Sequence, residues 1–463
     1  MSASTIGFSL LILGLLLAVG KLIRVKIELF QDLFLPSSII AGFVGLFLGP
    51  EVLGKFDFAN SLKAGIFTDN ILKVWSELPG LMIIVVFASL FLGRKIPNIK
   101  KVWNLAGPQI VLGYIFSFGQ YIVGILLVLL FLKPVFGIDP MAGALIEIGF
   151  VGGHGTAAGM ANTYQQLGFS EGAPMAMGMA TVGILGGVIL GMMIINWGIR
   201  NDKLTAIDKI DIENNVNKNG LFKQENRSIA GYLSTGSESI EPLSLHFGYL
   251  SLSILIGVII LDLLQWIEAV SWGPASGVFL IEHVPLFPIA MIGGIVLQKL
   301  LDKYDSYHTL DRGLINRIQG FSLDILIASA LATLDLSVIG ENIIPFLTLA
   351  LGGILWTLFV LLYLAPKILT SYWLERGIGD FGQSTGVAAT GLMLMKVADP
   401  ENETPALESF GYKQILFEPF VGGGLFTASS VPLIHQFGAV NILSILGVIV
   451  FLLLIFGLMG FKN

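Results

Sequence analysis

The chain has no cysteine, so a disulfide framework, a thiolate metal site and a cysteine nucleophile are all excluded. Charge is nearly as scarce. Asp, Glu, Lys and Arg make up 13% of the 463 residues, about half the share usual for a soluble domain, while 54% are hydrophobic. The net charge of −6 is small and spread along the chain, so a nucleic-acid partner is not expected. No His-Glu-x-x-His pattern is present, which removes the commonest membrane metalloprotease reading. What is abundant is apolar surface, with a mean hydropathy of +0.83. Glycine is in excess as well, at 56 residues where roughly 7% of a chain is usual. A water-soluble surface cannot be covered with so little charge, and the composition implies an all-α polytopic membrane protein.

Each crossing needs about 20 mostly apolar residues, because a helix in lipid must satisfy its own backbone. Eleven candidates meet this within a few residues: 5–20, 33–49, 78–93, 105–132, 172–199, 246–266, 284–298, 321–339, 342–365, 412–434 and 441–461. Met1–Gly20 has no basic stretch ahead of its apolar run, and Lys21, Arg24 and Lys26 follow it, so it reads as the first spanning helix and not as a secretory signal. Two further stretches, Pro140–Phe169 and Gly379–Pro400, are apolar but rich in Gly, Ser and Thr. They read as re-entrant hairpins, whose irregular tips survive at depth only inside protein or water.

Lysine and arginine set the orientation. With the N-terminus outside and both hairpins returning to the side they enter from, the inside holds 22 of the 26 basic residues, including all seven Arg. The outside keeps Lys55, Lys63, Lys73 and Lys133. The polar stretch 200–245 then becomes a cytoplasmic linker between two halves that resemble each other. Gly152-Gly153-His154-Gly155-Thr156-Ala157-Ala158-Gly159 in the first half has a counterpart in Gln383-Ser384-Thr385-Gly386-Val387-Ala388-Ala389-Thr390-Gly391 in the second. Each precedes a glycine-rich helix, Thr181–Gly187 and Pro419–Leu425. The charge map places the halves in opposite orientations, as two inverted-topology repeats: 1–199 with hairpin 140–169, and 246–440 with hairpin 379–400, followed by a final helix at 441–463. Such a pair of hairpins brings broken helix ends together near the midplane. Their N–H groups suit a carboxylate there, and their carbonyls suit a hard cation such as Na⁺.

At Phe150-Val151-Gly152-Gly153-His154-Gly155-Thr156-Ala157-Ala158 the sequence resembles the bacterial sodium/glutamate symporter family. The resemblance extends to Leu35–Gly42, Ala180–Gly183, Ser322–Leu336, the second hairpin and Phe420–Gly423. It implies uptake of L-glutamate driven by Na⁺ as the coupling ion, two hairpin loops forming the site, and a homodimer working by an elevator-type movement in the cell inner membrane. The implied protein is a carrier, not an enzyme. Alternatives are a Na⁺-coupled symporter of another carboxylate such as citrate or malate, an anion channel, and an intramembrane serine hydrolase. The last rests on Gly382-Gln383-Ser384-Thr385-Gly386, which fits G-x-S-x-G, with His154 as its base.

The candidate substrate residues are Gly153, His154, Gly155 and Thr156 on the first tip, and Gln383, Ser384, Thr385 and Asp380 on the second. His154 could contact substrate, carry a proton or hold its loop. Asp380 could meet the substrate amine or Na⁺, or lie at the cytoplasmic mouth. Acids within the membrane are costly, which makes Glu147 and Asp324 candidate cation ligands, with Thr427 as a hydroxyl partner. Gln109 and Gln120 read as polar contacts between helices. No Arg falls in any span, so neutral dipoles, Na⁺ or an inward-turned Lys396 must balance an acidic substrate.

Overall fold

The computed structural model describes residues 2–32, 35–55, 65–94, 99–205, 221, 224, 227, 229–236, 238–276, 279, 281–399 and 403–461. Most of the 200–245 linker, the first two residues of the 33–49 segment and Pro400 of the second hairpin lie outside the described residues. All regular structure among the described residues is helical. Nine of these helices are long and apolar enough to cross a membrane, so the chain is an all-α, multi-pass membrane protein.

In chain order the principal helices are α1 (Ala3–Lys26), α2 (Ser37–Leu48), α3 (Asp69–Ala88), α4 (Ile99–Leu127), α5 (Leu145–Phe150), α6 (Gly153–Gly159), α7 (Ala161–Gln166) and α8 (Gly172–Arg200). They continue as α9 (Pro242–Val270), α10 (Leu286–Tyr304), α11 (Arg312–Ala332), α12 (Ile343–Phe359), α13 (Trp373–Ala398), α14 (Ala406–Phe417), α15 (Leu425–Phe437) and α16 (Ala439–Met459). They group into two compact units, each drawn from both halves of the chain. The first holds 1–96, 158–160 and 217–337; the second holds 97–157, 161–216 and 338–463.

In the first unit, small residues let helices approach closely, the usual basis of packing where lipid removes the hydrophobic drive. A Cβ added to Gly42 would lie 2.5 Å from Leu331 Cβ, and one on Gly45 would lie 2.7 Å from Ala332 Cβ, which seats α2 against α11. Gly293 sits equally tight against the Ser253 carbonyl and joins α10 to α9. Trp75 is fully buried in a cluster with Leu13, Ala41 and Ala328, and its indole N–H donates to the Ser9 carbonyl at 3.0 Å. The Arg312 guanidinium donates to the carbonyls of Ser89 (2.8 Å) and Leu92 (2.6 Å), so the loose end of α3 is satisfied by a charge from α11.

In the second unit, α4 runs on through a π-helical turn at Val128–Leu132 into Lys133–Phe136. The long helix α12 does the same through Val360–Leu364 into Ala365–Ile368. Both turns read Val-Leu-Leu-aromatic-Leu, and a proline follows two residues later, Pro134 and Pro366. Neither proline can donate to the carbonyl four residues back, and each ring crowds that carbonyl; a wider turn relieves the clash.

The 78–93 and 321–339 candidates begin earlier than expected, at Asp69 (α3) and Arg312 (α11), and 284–298 (α10) is not among the nine apolar spans. Two further differences bear on the site. The 412–434 stretch, expected as one crossing, is broken into α14 and α15, because Gly422 (φ +71°) and Gly423 (φ +97°) take left-handed conformations just after Pro419. The second hairpin begins earlier than expected, at Trp373. That moves Arg376 from a loop into a helix.

Candidate functional site

Both interrupted segments belong to the second unit, apart from 158–160. In the first, a 3₁₀ turn at Pro140–Ala144 leads into α5, and the chain breaks at Val151–Gly152 before α6. Gly153 has φ +70°, open to glycine at little cost. In the second, α13 is interrupted at Gly386 (φ −148°, ψ 39°) and Val387 (φ 63°, ψ 173°). A β-branched residue at positive φ is strained by ~1–3 kcal/mol, and such strain concentrates at functional positions. The arms either side lie antiparallel: a Cβ on Gly382 would lie 2.7 Å from Gly391 Cα, and one on Gly379 would lie 2.2 Å from Met395 Sδ. This is a true hairpin with its tip at 386–387.

The two tips touch. A Cβ on Gly153 would lie 2.3 Å from Val387 Cγ1. Helix α8 offers a glycine groove to the second hairpin, with Gly183, Gly187 and Gly191 spaced one turn apart. A Cβ on Gly183 would lie 2.1 Å from the Thr385 carbonyl oxygen, and one on Gly187 2.2 Å from Thr385 Oγ1.

Within the first hairpin, on α5, the fully buried Glu147 gathers three hydroxyls from two other helices. It accepts from Ser117 Oγ (3.0 Å) and Tyr121 Oη (2.5 Å) of α4, and from Thr427 Oγ1 (3.0 Å) of α15. Its fourth donor is the Gly422 N–H at 3.1 Å, a group freed by the break between α14 and α15. The interruption is thereby satisfied by the acid, and the acid by the interruption.

Along the first arm of α13 runs a second network. Asp380, fully buried, accepts from Lys413 Nζ at 2.6 Å and from Gln109 Nε2 at 3.3 Å. Lys413 also donates to Gln383 Oε1 at 2.5 Å, and lies over the rings of Phe410 (4.7 Å) and Phe417 (4.6 Å). Gln383 and Gln414 pair at 3.0 Å. Gln120 donates to the Ser384 carbonyl at 2.6 Å, next to the tip.

The substrate candidates are thus found on or near the meeting tips. Gly153, His154, Gly155 and Thr156 are buried in α6; His154 Nε2 lies 2.9 Å from Thr181 Oγ1, and Thr156 Oγ1 has no partner. Ser384 is buried, and Thr385 Oγ1 donates to the Phe381 carbonyl at 2.9 Å. Gln383 and Asp380 are held by Lys413. Of the cation candidates, Glu147 and Thr427 are brought together, whereas Asp324 lies in the first unit on an exposed position of α11. Ser384 sits inside a helix, not on the strand-to-helix turn that G-x-S-x-G requires, and His154 pairs with Thr181 instead. Sequence reasoning missed Lys413, Arg376, Ser117 and Tyr121. Gln109 was read only as a helix contact, though its carboxamide bridges Asp380 and Arg376. The available signal was the i, i+4, i+7 spacing of Arg376, Asp380 and Gln383, which puts all three on one helix face.

Several buried oxygens of this unit have no hydrogen-bond partner: Thr156 Oγ1, Tyr164 Oη, Gln120 Oε1 and Asp380 Oδ2. Among the described residues no three His, Asp or Glu side chains converge. A cation held here would meet a mixed set of hydroxyl, carbonyl and carboxamide oxygens with at most one or two acids, which suits a hard monovalent ion.

A family model described as sodium/glutamate symporter matches residues 4–372. The matched stretch contains the whole first hairpin and both π-helical turns, and ends one residue before α13 begins. No curated protein matches the chain.

Proposed function

The chain belongs to the sodium/glutamate symporter family, and from that premise we propose that it takes up L-glutamate together with Na⁺ across the cell inner membrane. The N-terminus is outside and the 200–245 loop cytoplasmic in this reading. The observation that carries it is the tip-to-tip contact of Gly153 with Val387, where two interrupted helices end against each other. Broken ends leave N–H and carbonyl groups without intrahelical partners, and these are the groups a carrier uses for a carboxylate and an alkali cation. Substrate binds between 152–156 and 383–386, with Thr156 and the tip N–H groups toward its carboxylates. Na⁺ is held on the oxygen set around Glu147, Ser117 and Thr427.

The chain is read as two inverted repeats. The paired Val-Leu-Leu-aromatic-Leu π-helical turns ahead of the two hairpins support this, since each repeat enters its hairpin through the same irregularity. An elevator-type movement of the hairpin-bearing unit is supported by the separation of the chain into two units: 1–96 and 217–337 carry no hairpin tip, and the second unit carries both. The test is uptake of labelled glutamate by proteoliposomes under an imposed Na⁺ gradient, with citrate and malate as competitors. Accumulation of glutamate that collapses without the gradient is expected. Accumulation of citrate alone would assign the site to another carboxylate.

A further inference from the structure

We propose that Arg376 forms a second carboxylate subsite at the base of the second hairpin, which receives the transported anion on its way between the tips and the compartment that this base faces. The proposal rests on the reading of the tips as the substrate site. Arg376 lies in the first turn of α13 and is only 5% exposed. Among the described residues its side chain makes a single hydrogen bond, from Nε to Gln109 Oε1 at 3.4 Å, and its buried Nη2 has no partner. The other buried cation of the network, Lys413, has Asp380 as counter-charge at 2.6 Å; Arg376 has no acid at ion-pair distance among the described residues. A guanidinium cannot shed its proton to escape this, so the charge stays and asks for an anion.

The surroundings favour an anion from outside the chain. Tyr372, the residue before α13, caps it with no side-chain hydrogen bond, so the positive end of the helix adds to the guanidinium field. The adjacent acid, Glu375, uses Oε1 for the Thr205 backbone N–H (2.6 Å) and hydroxyl (2.8 Å), and its buried Oε2 makes no hydrogen bond to Arg376 or to any other described residue. Arg376, Asp380 and Gln383 share one face of the arm, and this polar face continues to Ser384, whose carbonyl is held by Gln120. The ten residue steps from Arg376 to Gly386 span ~15 Å of helix, further than one amino acid reaches. Arg376 therefore cannot hold the ligand seated at the tips; it holds the same class of ligand before or after that position. The planar fork of guanidinium donors matches a carboxylate.

The test uses the full chain in proteoliposomes of one orientation, with the KM for glutamate measured separately at each face, and the melting temperature of the ligand-free protein. Arg376→Met replaces a buried charge that makes no direct ion pair among the described residues with an apolar chain of similar length, so the melting temperature should hold or rise. The KM at the face of the hairpin base should rise about tenfold, and the KM at the opposite face should change less than about twofold. Arg376→Lys, which keeps the charge without the fork, should fall between. A lower melting temperature, or a variant that does not fold, would make Arg376 a structural residue and overturn the proposal. So would an equal KM change at both faces, or none. A melting temperature that responds to anionic lipid in the wild type but not in Arg376→Met would give the subsite to a lipid headgroup, and would also overturn it. Failure of the wild type itself to accumulate glutamate overturns the tip reading and this proposal with it, whereas uptake with a face-independent Arg376→Met effect overturns this proposal alone.

Discussion

Removing the Lys413 ammonium should destabilise the hairpin-bearing unit more than any other single side-chain change in its polar network. Lys413 is 1% exposed and Asp380 is fully buried; their 2.6 Å contact is the only ion pair at the carboxylate among the described residues. In Lys413→Met the Asp380 carboxylate keeps Gln109 at 3.3 Å for one oxygen, while Oδ2 already has no partner. Breaking one side of a buried pair costs about 3–5 kcal/mol. Loss of two ring contacts at 4.6 and 4.7 Å adds to this, at ~0.5–1 kcal/mol each. With roughly 2–4 °C per kcal/mol for a unit of about this size, the melting temperature should fall on the order of 10 °C. The assay is thermal unfolding of the purified protein in lipid nanodiscs for Lys413→Met, Asp380→Asn and the double variant. The double variant should recover most of the loss, because apolar or neutral replacement of both partners of a buried pair is often neutral. Two single variants as stable as the wild type, or a double variant as unstable as the sum, would refute the claim that this charge pair is dry and mutually dependent.

Glycine spacing makes a sharper steric test. Gly187→Ala places a Cβ 2.2 Å from Thr385 Oγ1 and should cost about 1–3 kcal/mol and impair transport. Gly186→Ala, whose Cβ meets Ile354 Cδ1 at 3.4 Å and Cγ1 at 3.9 Å, both ordinary contacts, should leave both intact in the same melting and uptake assays. Thr156→Val removes a buried hydroxyl that has no partner; the ligand-free protein should be equally stable or gain ~1 kcal/mol, while the KM for glutamate rises. Glu147→Gln keeps the size and an acceptor within the hydroxyl cluster, so folded protein should be recovered. The Na⁺ concentration for half-maximal uptake should increase by about tenfold or more, read from Na⁺ titration of uptake.

Much of this could be read from residue order alone, and the failures have local causes. The apolar runs and the Gly-Gly-His-Gly-Thr segment marked the spans and the first tip, because hydropathy and glycine act through neighbours in sequence. Pro419 followed by three glycines was visible too, yet the surrounding absence of charge made the 412–434 stretch look like one crossing. What breaks it is the left-handed Gly422–Gly423 pair, and what makes the break tolerable is Glu147, 275 residues away. Lys413 and Arg376 were assigned to the cytoplasmic side by the same positive-inside counting that oriented the chain. That count sees a cation near a helix end and cannot tell a snorkelling side chain from one folded back onto Asp380 or Gln109. Pairing across α4, α13 and α14 is long-range information. Helical periodicity of Arg376, Asp380 and Gln383 hinted at a polar face without naming what it faces.

The central claim is that two interrupted hairpins meeting at Gly153 and Val387 bind glutamate and couple its movement to Na⁺. The most direct measurement is accumulation of labelled L-glutamate in proteoliposomes of the purified chain, with an inward Na⁺ gradient and with the same total salt as K⁺. Accumulation above the external concentration in Na⁺, abolished in K⁺ and suppressed in Gly187→Ala, is the predicted result. Equal uptake in the two salts, or uptake that never exceeds equilibrium, would contradict it.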